Sequence, residues 1–159
     1  MKDFEEIISE HQAILYKIGR VYATAEDFDD LYQEMLIAIW KSLDSFKGQS
    51  KVSTWIYRVA LNTALSYHKV NNRRQTAMDS FSQEQAHIYT DHAEDERTEK
   101  LYRAIRQLAK DERSLILLYL DENSYEEIAQ IIGISMSNVG VRINRIKKKL
   151  LRLLNHQPS

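Results

Sequence analysis

Four residues near the end of the chain, Ser137, Asn138, Val141 and Arg142, combine hydrogen-bonding and apolar groups of the kind that read DNA base edges. Asparagine matches adenine bidentately and arginine matches guanine, each pair contributing roughly 1–3 kcal/mol of discrimination. Behind them Arg145, Lys147, Lys148, Lys149 and Arg152 offer cations for phosphates, and with them salt-dependent affinity. A solvated basic face on a terminal helix has the same composition. The elements that carry these side chains must decide between the two.

Those elements are strongly specified. In Ser124-Tyr125-Glu126-Glu127 the serine can accept from the backbone N–H of Glu127 while that glutamate reaches back, a capping box that starts a helix. The helix runs through Ile128, Ala129 and Ile132 to Gly133, where the missing side chain permits the left-handed backbone of a sharp turn. Ser135 caps the next helix, along which Val139, Ile143, Ile146, Leu150 and Leu153 recur in steps of four, three, four and three. That stripe packs inward and leaves the polar, basic face outward. Small, turn and core residues thus meet the demands of a helix-turn-helix whose second helix lies against DNA.

The rest of the composition narrows the class. The 159 residues contain no cysteine, and the five histidines (His11, His68, His87, His92, His156) show no ligand spacing, so a metal-free chain is expected. Four Gly and a single Pro, Pro158, leave almost no helix breakers, and strands with alternating Val, Ile and Thr are absent, which predicts an all-α fold. The amphipathic, acidic start and the lack of any apolar run near eighteen residues predict a cytoplasmic protein. No nucleophile and base pair or phosphate-cradling glycine loop is present, so no catalytic residue, cofactor or small-molecule substrate is expected.

A net charge of -1 conceals a division along the chain. Residues 1 to 75 hold 10 basic and 10 acidic side chains, residues 76 to 95 hold 0 and 5, residues 96 to 123 hold 6 and 6, and residues 124 to 159 hold 6 and 2. Two helical domains, 1–75 and 96–159, joined by an acidic linker at 76–95, are therefore expected. In the first, Ile7, Ile8, His11, Ile14, Leu15, Ile18 and Tyr22 recur at helical spacing from Phe4. A second helix spans about 27 to 43, capped by Asp29 or Asp30 and burying Leu31, Met35, Ala38 and Ile39. A third begins near Ser53 with Ile56, Ala60, Ala64 and Tyr67 on one face and ends in the basic cluster Lys69 to Arg74. Four short helices fill the second domain.

A helix-turn-helix names a ligand and not a function. Here the front half adds a resemblance. Asp30-Leu31-Tyr32-Gln33-Glu34 followed by Ala38 and Trp40 resembles the polymerase-binding helix of the sigma-70 family. Phe46-Lys47-Gly48 and Thr54-Trp55-Ile56-Tyr57-Arg58-Val59-Ala60-Leu61-Asn62 resemble its promoter-melting, minus-ten-reading segment, and Ser124 to Ala129 with Gly133-Ile134-Ser135 its minus-thirty-five reader. Nearly the whole chain is similar to the small extracytoplasmic-function (ECF) members. The resemblance implies that Asp30, Gln33 and Glu34 face the clamp of the largest polymerase subunit. It implies minus-ten contacts from Lys51, Ser53, Thr54, Arg58, Asn62, Lys69, Arg73 and Arg74, with a base captured near the loop from Lys47 to Ser53. Minus-thirty-five contacts would come from Ser135, Ser137, Asn138, Val141, Arg142, Arg145 and Lys148.

Core RNA polymerase (clamp and flap), promoter DNA and an anti-sigma factor are the partners so implied, the last able to hold the protein at the inner membrane. Trp55 and Tyr57 are either base-stacking platforms or core, and for Trp55 core is the stronger reading. Two departures from the family pattern stand out: Gly140 where relatives carry a cation, and no proline after Leu108. A polymerase-independent regulator using the same helix-turn-helix, and a helical adaptor that binds no DNA, are the alternatives.

Overall fold

The structure is a computed structural model that describes residues 3–75 and 95–156, with the side chains of 68–75 outside that description. All regular structure in it is helical. The chain divides into two compact units, Met1–Tyr89 and Thr90–Ser159. The acidic segment 76–94 lies outside the described residues, while Asp95 belongs to the second unit as a helix cap, its carboxylate accepting from Arg97 N–H at 3.2 Å.

The first unit packs α1 (Phe4–Tyr22), α2 (Phe28–Ser42) and α3 (Val52–Gln75), with a single 3-10 turn at Leu43–Ser45 after α2. The apolar spacing read from Phe4 to Tyr22 matches α1 at both ends. Asp3 starts it by accepting from Glu6 N–H at 2.9 Å, and Leu15 and Ile18 are wholly enclosed. Helix α2 buries Leu31, Met35 and Ile39 as expected, with Ala38 only half-buried. Its cap differs from expectation. Asp27 occupies the cap position and its carboxylate accepts from the Thr24 hydroxyl at 3.1 Å, so no side chain caps α2. Asp29 and Asp30 instead lie in its first turn, where their charge suits the positive helix end.

Helix α3 packs against both α1 and α2. It therefore buries two faces rather than the single stripe read from Ile56, Ala60 and Ala64. Thr54, Trp55, Tyr57 and Leu61 are enclosed as well. At the other contact, Gly19 of α1 lets the Phe28 ring approach so closely that an added Cβ would stand 2.6 Å from it. Phe28 in turn meets Tyr16 edge-on at 5.3 Å. Arg20, next in α1, is 1% exposed, in the last turn where a cation faces the carbonyl end of the helix.

The second unit contains α4 (Glu96–Arg106), α5 (Lys110–Leu120), α6 (Tyr125–Ile132) and α7 (Met136–Asn155), the last longer than the short helix expected. Where the family proline is missing, Ala109 sits at the start of α5 and donates its N–H to Glu112 at 2.9 Å. Arg113 ties α5 to the end of α4 by donating to the carbonyls of Leu108 at 2.9 Å and Arg106 at 2.7 Å. These orphan carbonyls would otherwise lack partners as the helix ends.

Gly19 and Gly140 should respond to alanine in opposite senses. Gly19→Ala forces the Phe28 ring to move and is expected to destabilise by about 1–3 kcal/mol. At Gly140 the added carbon would meet Tyr125 at 3.4 Å, an ordinary contact, so the helix gains about 1 kcal/mol from alanine. Thermal melting of the two variants checks both signs.

Candidate nucleic-acid and polymerase interface

The helix-turn-helix forms from the local rules that predicted it. Ser124 accepts from Glu127 N–H at 3.1 Å, and Glu127 accepts from Ser124 N–H at 2.9 Å, closing the capping box. Gly133 ends α6 with φ of 85°, and its N–H reaches Ala129 O at 2.8 Å. Ser135 then caps α7 by accepting from Asn138 N–H at 3.2 Å. Within α6, Ile128 and Ile131 are the residues buried in the core.

Helix α7 buries Val139, Ile143, Ile146 and Leu150, with Leu153 half-buried at the end of the stripe. Its cations then divide into three groups. Arg142 and Lys149 lie on the flank toward the first turn of α5, where Arg142 stands 4.0 Å from Asp111 and Lys149 donates to Glu112 at 3.0 Å. On the other flank Lys147 stands 4.5 Å from the centroid of the Tyr119 ring, and a hydrogen bond to Tyr119 holds its ammonium above the ordinary lysine range. Arg145, Lys148 and Arg152 remain on the exposed side. Lys147 and Lys149, expected as phosphate contacts, thus each have a partner within the unit while remaining part-exposed. Ser135, Ser137, Asn138 and Val141 are exposed near the start of α7, with the Ser135 and Ser137 hydroxyls 3.2 Å apart. Asn144 is exposed in line with Val141, a position that reading only the first turns of the helix passes over.

In the first unit, Asp30, Gln33 and Glu34 share the exposed face of α2. Asp30 also accepts from the Tyr67 hydroxyl at 2.9 Å, which joins α2 to α3. Sequence reasoning named Trp40 only as part of the family motif and missed Ile37; the two complete this face, at 63% and 46% exposure. Their steps of four and three from Gln33 were the available signal, since the stripe through Leu31, Met35 and Ile39 leaves the opposite side to solvent.

The loop before α3 exposes Lys47, Gly48, Gln49 and Lys51, with Gly48 at φ of 75° and the Gln49 side chain accepting from Lys47 N–H at 3.2 Å. Arg58 and Asn62 are exposed one helical turn apart on α3, and Ser53 is half-buried. Residues 51 to 75 carry Lys51, Arg58, Lys69, Arg73 and Arg74 with no acidic side chain. Lys69, Arg73 and Arg74 fall in the last two turns of α3, with side chains outside the described residues. Thr54 does not belong to this surface. At 1% exposure it lies in the core, because α3 is covered by both neighbouring helices. Trp55 and Tyr57 are likewise core at 7% and 1% exposure, so neither offers a ring for base stacking; Trp55 packs on Phe46 at 4.9 Å between centroids. Among the described residues no acidic or histidine cluster is placed to hold a metal ion, and no helix is long and apolar enough to cross a membrane.

The Sigma-70 region 2 family matches residues 7–74, and the Sigma-70 region 4 family matches residues 98–150. The chain belongs to the sigma-70 family. Within that family it is of the ECF type: the ECF RNA polymerase sigma-E factor of Escherichia coli is 31% identical, over 94% of this chain and 85% of that protein. The protein of the same description from Haemophilus influenzae is 30% identical, over 94% and 86%. Two solved structures share the fold. The sigma factor RpoE in complex with the anti-sigma factor NepR from Bartonella quintana superposes with a TM-score of 0.78, at 22% identity over 99% of this chain and 100% of that one. CnrH in complex with the cytosolic domain of CnrY gives 0.69, at 22% identity over 98% and 89%. Region 2 of the sigma-70 chain thus coincides with the three-helix unit, and region 4 with the unit that carries the helix-turn-helix.

Glu112 gives region 4 a titratable link. Burial raises the pKa of its carboxyl, but the Ala109 N–H and the Lys149 ammonium outweigh that and hold it below the usual carboxylate range. A depressed value in the folded state means that the stabilisation is complete above the unfolded pKa and is lost as pH falls through the folded one. Glu112→Gln should therefore lower the melting temperature at pH 7, with variant and parent converging at acidic pH, below the folded pKa. An equal deficit at both pH values would assign the effect to packing instead of charge.

Proposed function

We propose that this ECF sigma factor binds core RNA polymerase, directs it to specific promoters and assists opening of the duplex, without itself catalysing a reaction. The observation that carries the reading is the presence on one chain of both sigma regions, each with an exposed surface suited to its task. In region 2 the α2 face sets Ile37 and Trp40 among Asp30, Gln33 and Glu34, an apolar anchor with a polar rim of the kind that dominates protein interfaces. We assign this face to the polymerase clamp. The exposed loop at 47–51 together with Arg58, Asn62 and the basic end of α3 is assigned to the minus-ten element. The outward side of α7 is assigned to the minus-thirty-five element.

The boundaries that go with this reading are region 2 at 1–75, an acidic connection at 76–95 and region 4 at 96–159. An anti-sigma factor is the second protein partner, a reading supported by the like fold of the sigma factor solved with NepR. Action at promoters places the protein in the cytoplasm, or at the inner membrane when an anchored anti-sigma factor holds it. A polymerase-independent regulator requires the helix-turn-helix alone and leaves the exposed Ile37 and Trp40 without a purpose.

In vitro transcription with purified core polymerase and a genomic promoter library tests the reading. Promoter-specific transcripts that depend on the protein are expected, and failure to associate with core would overturn it. Trp40→Ala should weaken core binding by about 30-fold, the loss of an interface anchor worth about 2 kcal/mol. Its melting temperature should stay near that of the parent, because the ring is largely exposed.

A further inference from the structure

The buried stripe of α7 fixes which residues lie deepest in a groove. At 3.6 residues per turn, a position two residues before a buried one points about 160° away from it. The residues two before Val139, Ile143, Ile146 and Leu150 are Ser137, Val141, Asn144 and Lys148, and all four are exposed. Arg142 does not share that line. It sits on the flank, with Asp111 of α5 4.0 Å from its guanidinium.

We propose that Asn144 and Val141 form the base-reading pair of region 4, Asn144 binding adenine and Val141 packing on a thymine methyl, while Arg142 stays beside Asp111. The inference rests on the assignment of α7 to the minus-thirty-five element and adds which side chains set its sequence. Asn144 is suited to the task. Its amide makes no hydrogen bond with other described residues, and an asparagine amide presents the acceptor and donor that match adenine N7 and N6. Val141 is 48% exposed, an apolar side chain that the unit itself does not cover. The two stand three positions apart, a rise of about 4.5 Å along the helix axis, between one and two base-pair steps of about 3.4 Å.

The surrounding cations fit this division. Arg145 and Arg152 are exposed beside the outward line, where they can reach the phosphates that border the groove. Lys149 and Lys147 are turned aside by Glu112 and Tyr119. Gly140 lies on the Tyr125 side of the helix rather than on the outward line, so the cation that relatives carry there is missing from the flank and not from the reading surface.

The experiment uses the full chain with core RNA polymerase on a promoter it transcribes, with the upstream element randomised and transcripts sequenced. The unmodified protein should favour adenine at one upstream position by roughly 5- to 150-fold. Asn144→Ala should erase that preference while leaving the salt dependence unchanged, since no cation is removed. Arg142→Ala should retain it. Because Asn144 is exposed on a helix and alanine is the better helix former, the variant is expected to fold. A profile for Asn144→Ala identical to that of the parent, or loss of the same adenine in Arg142→Ala, overturns the inference and leaves the sigma-factor reading intact. Absence of promoter-specific transcripts with the parent protein overturns that reading itself.

Discussion

Everything that this chain presents to a partner depends on one constraint: a helix that buries a stripe has no freedom left in what it exposes. In α7 the enclosure of Val139, Ile143 and Ile146 sets the outward line, and in α2 that of Leu31, Met35 and Ile39 does the same. Burying such a side chain is worth roughly 1.5–3 kcal/mol, so rotating either helix to show another face would forfeit several of these at once. The functional surfaces are therefore by-products of the core. Caps and turns only decide where each helix begins.

Much of this was legible in the chain itself. Phe4 to Tyr22 carries its period over five turns, through Gly19, and α1 follows it. The Ser124 box, Gly133 and Ser135 are satisfied by neighbours within four residues, so nothing distant was needed to read them. What escaped was set by contacts between helices. Thr54 and Tyr57 look like surface or stacking residues until α3 is seen between two other helices. Lys149 meets an acid thirty-seven positions earlier, and Arg142 one nearly as far. No local pattern announces such pairs. Arg20 is the extreme case, since a guanidinium is seldom fully enclosed.

Charge follows the same logic in region 4. Counting lysines and arginines after Ser124 suggests a uniformly basic helix, yet the acids at the start of α5 and the ring of Tyr119 occupy its flanks. Exposed ion pairs of this kind add little stability. Their larger effect is directional: they leave positive charge concentrated on the side away from the core. In the role proposed for α7, fewer available cations mean less reliance on non-specific attraction and more on the bases.

The hydrogen bond from Tyr67 to Asp30 has a consequence for how region 2 can be dissected. One carboxylate serves as part of the outward face and as a joint in the frame that holds α2 on α3. Under the proposed clamp assignment, removing it mixes two losses, a missing handhold and a loosened hinge, that a binding measurement alone reports as one. Tyr67→Phe separates them, because it cuts the joint and leaves the handhold in place. Under that assignment the frame and the grip of this small protein are, at that atom, the same object.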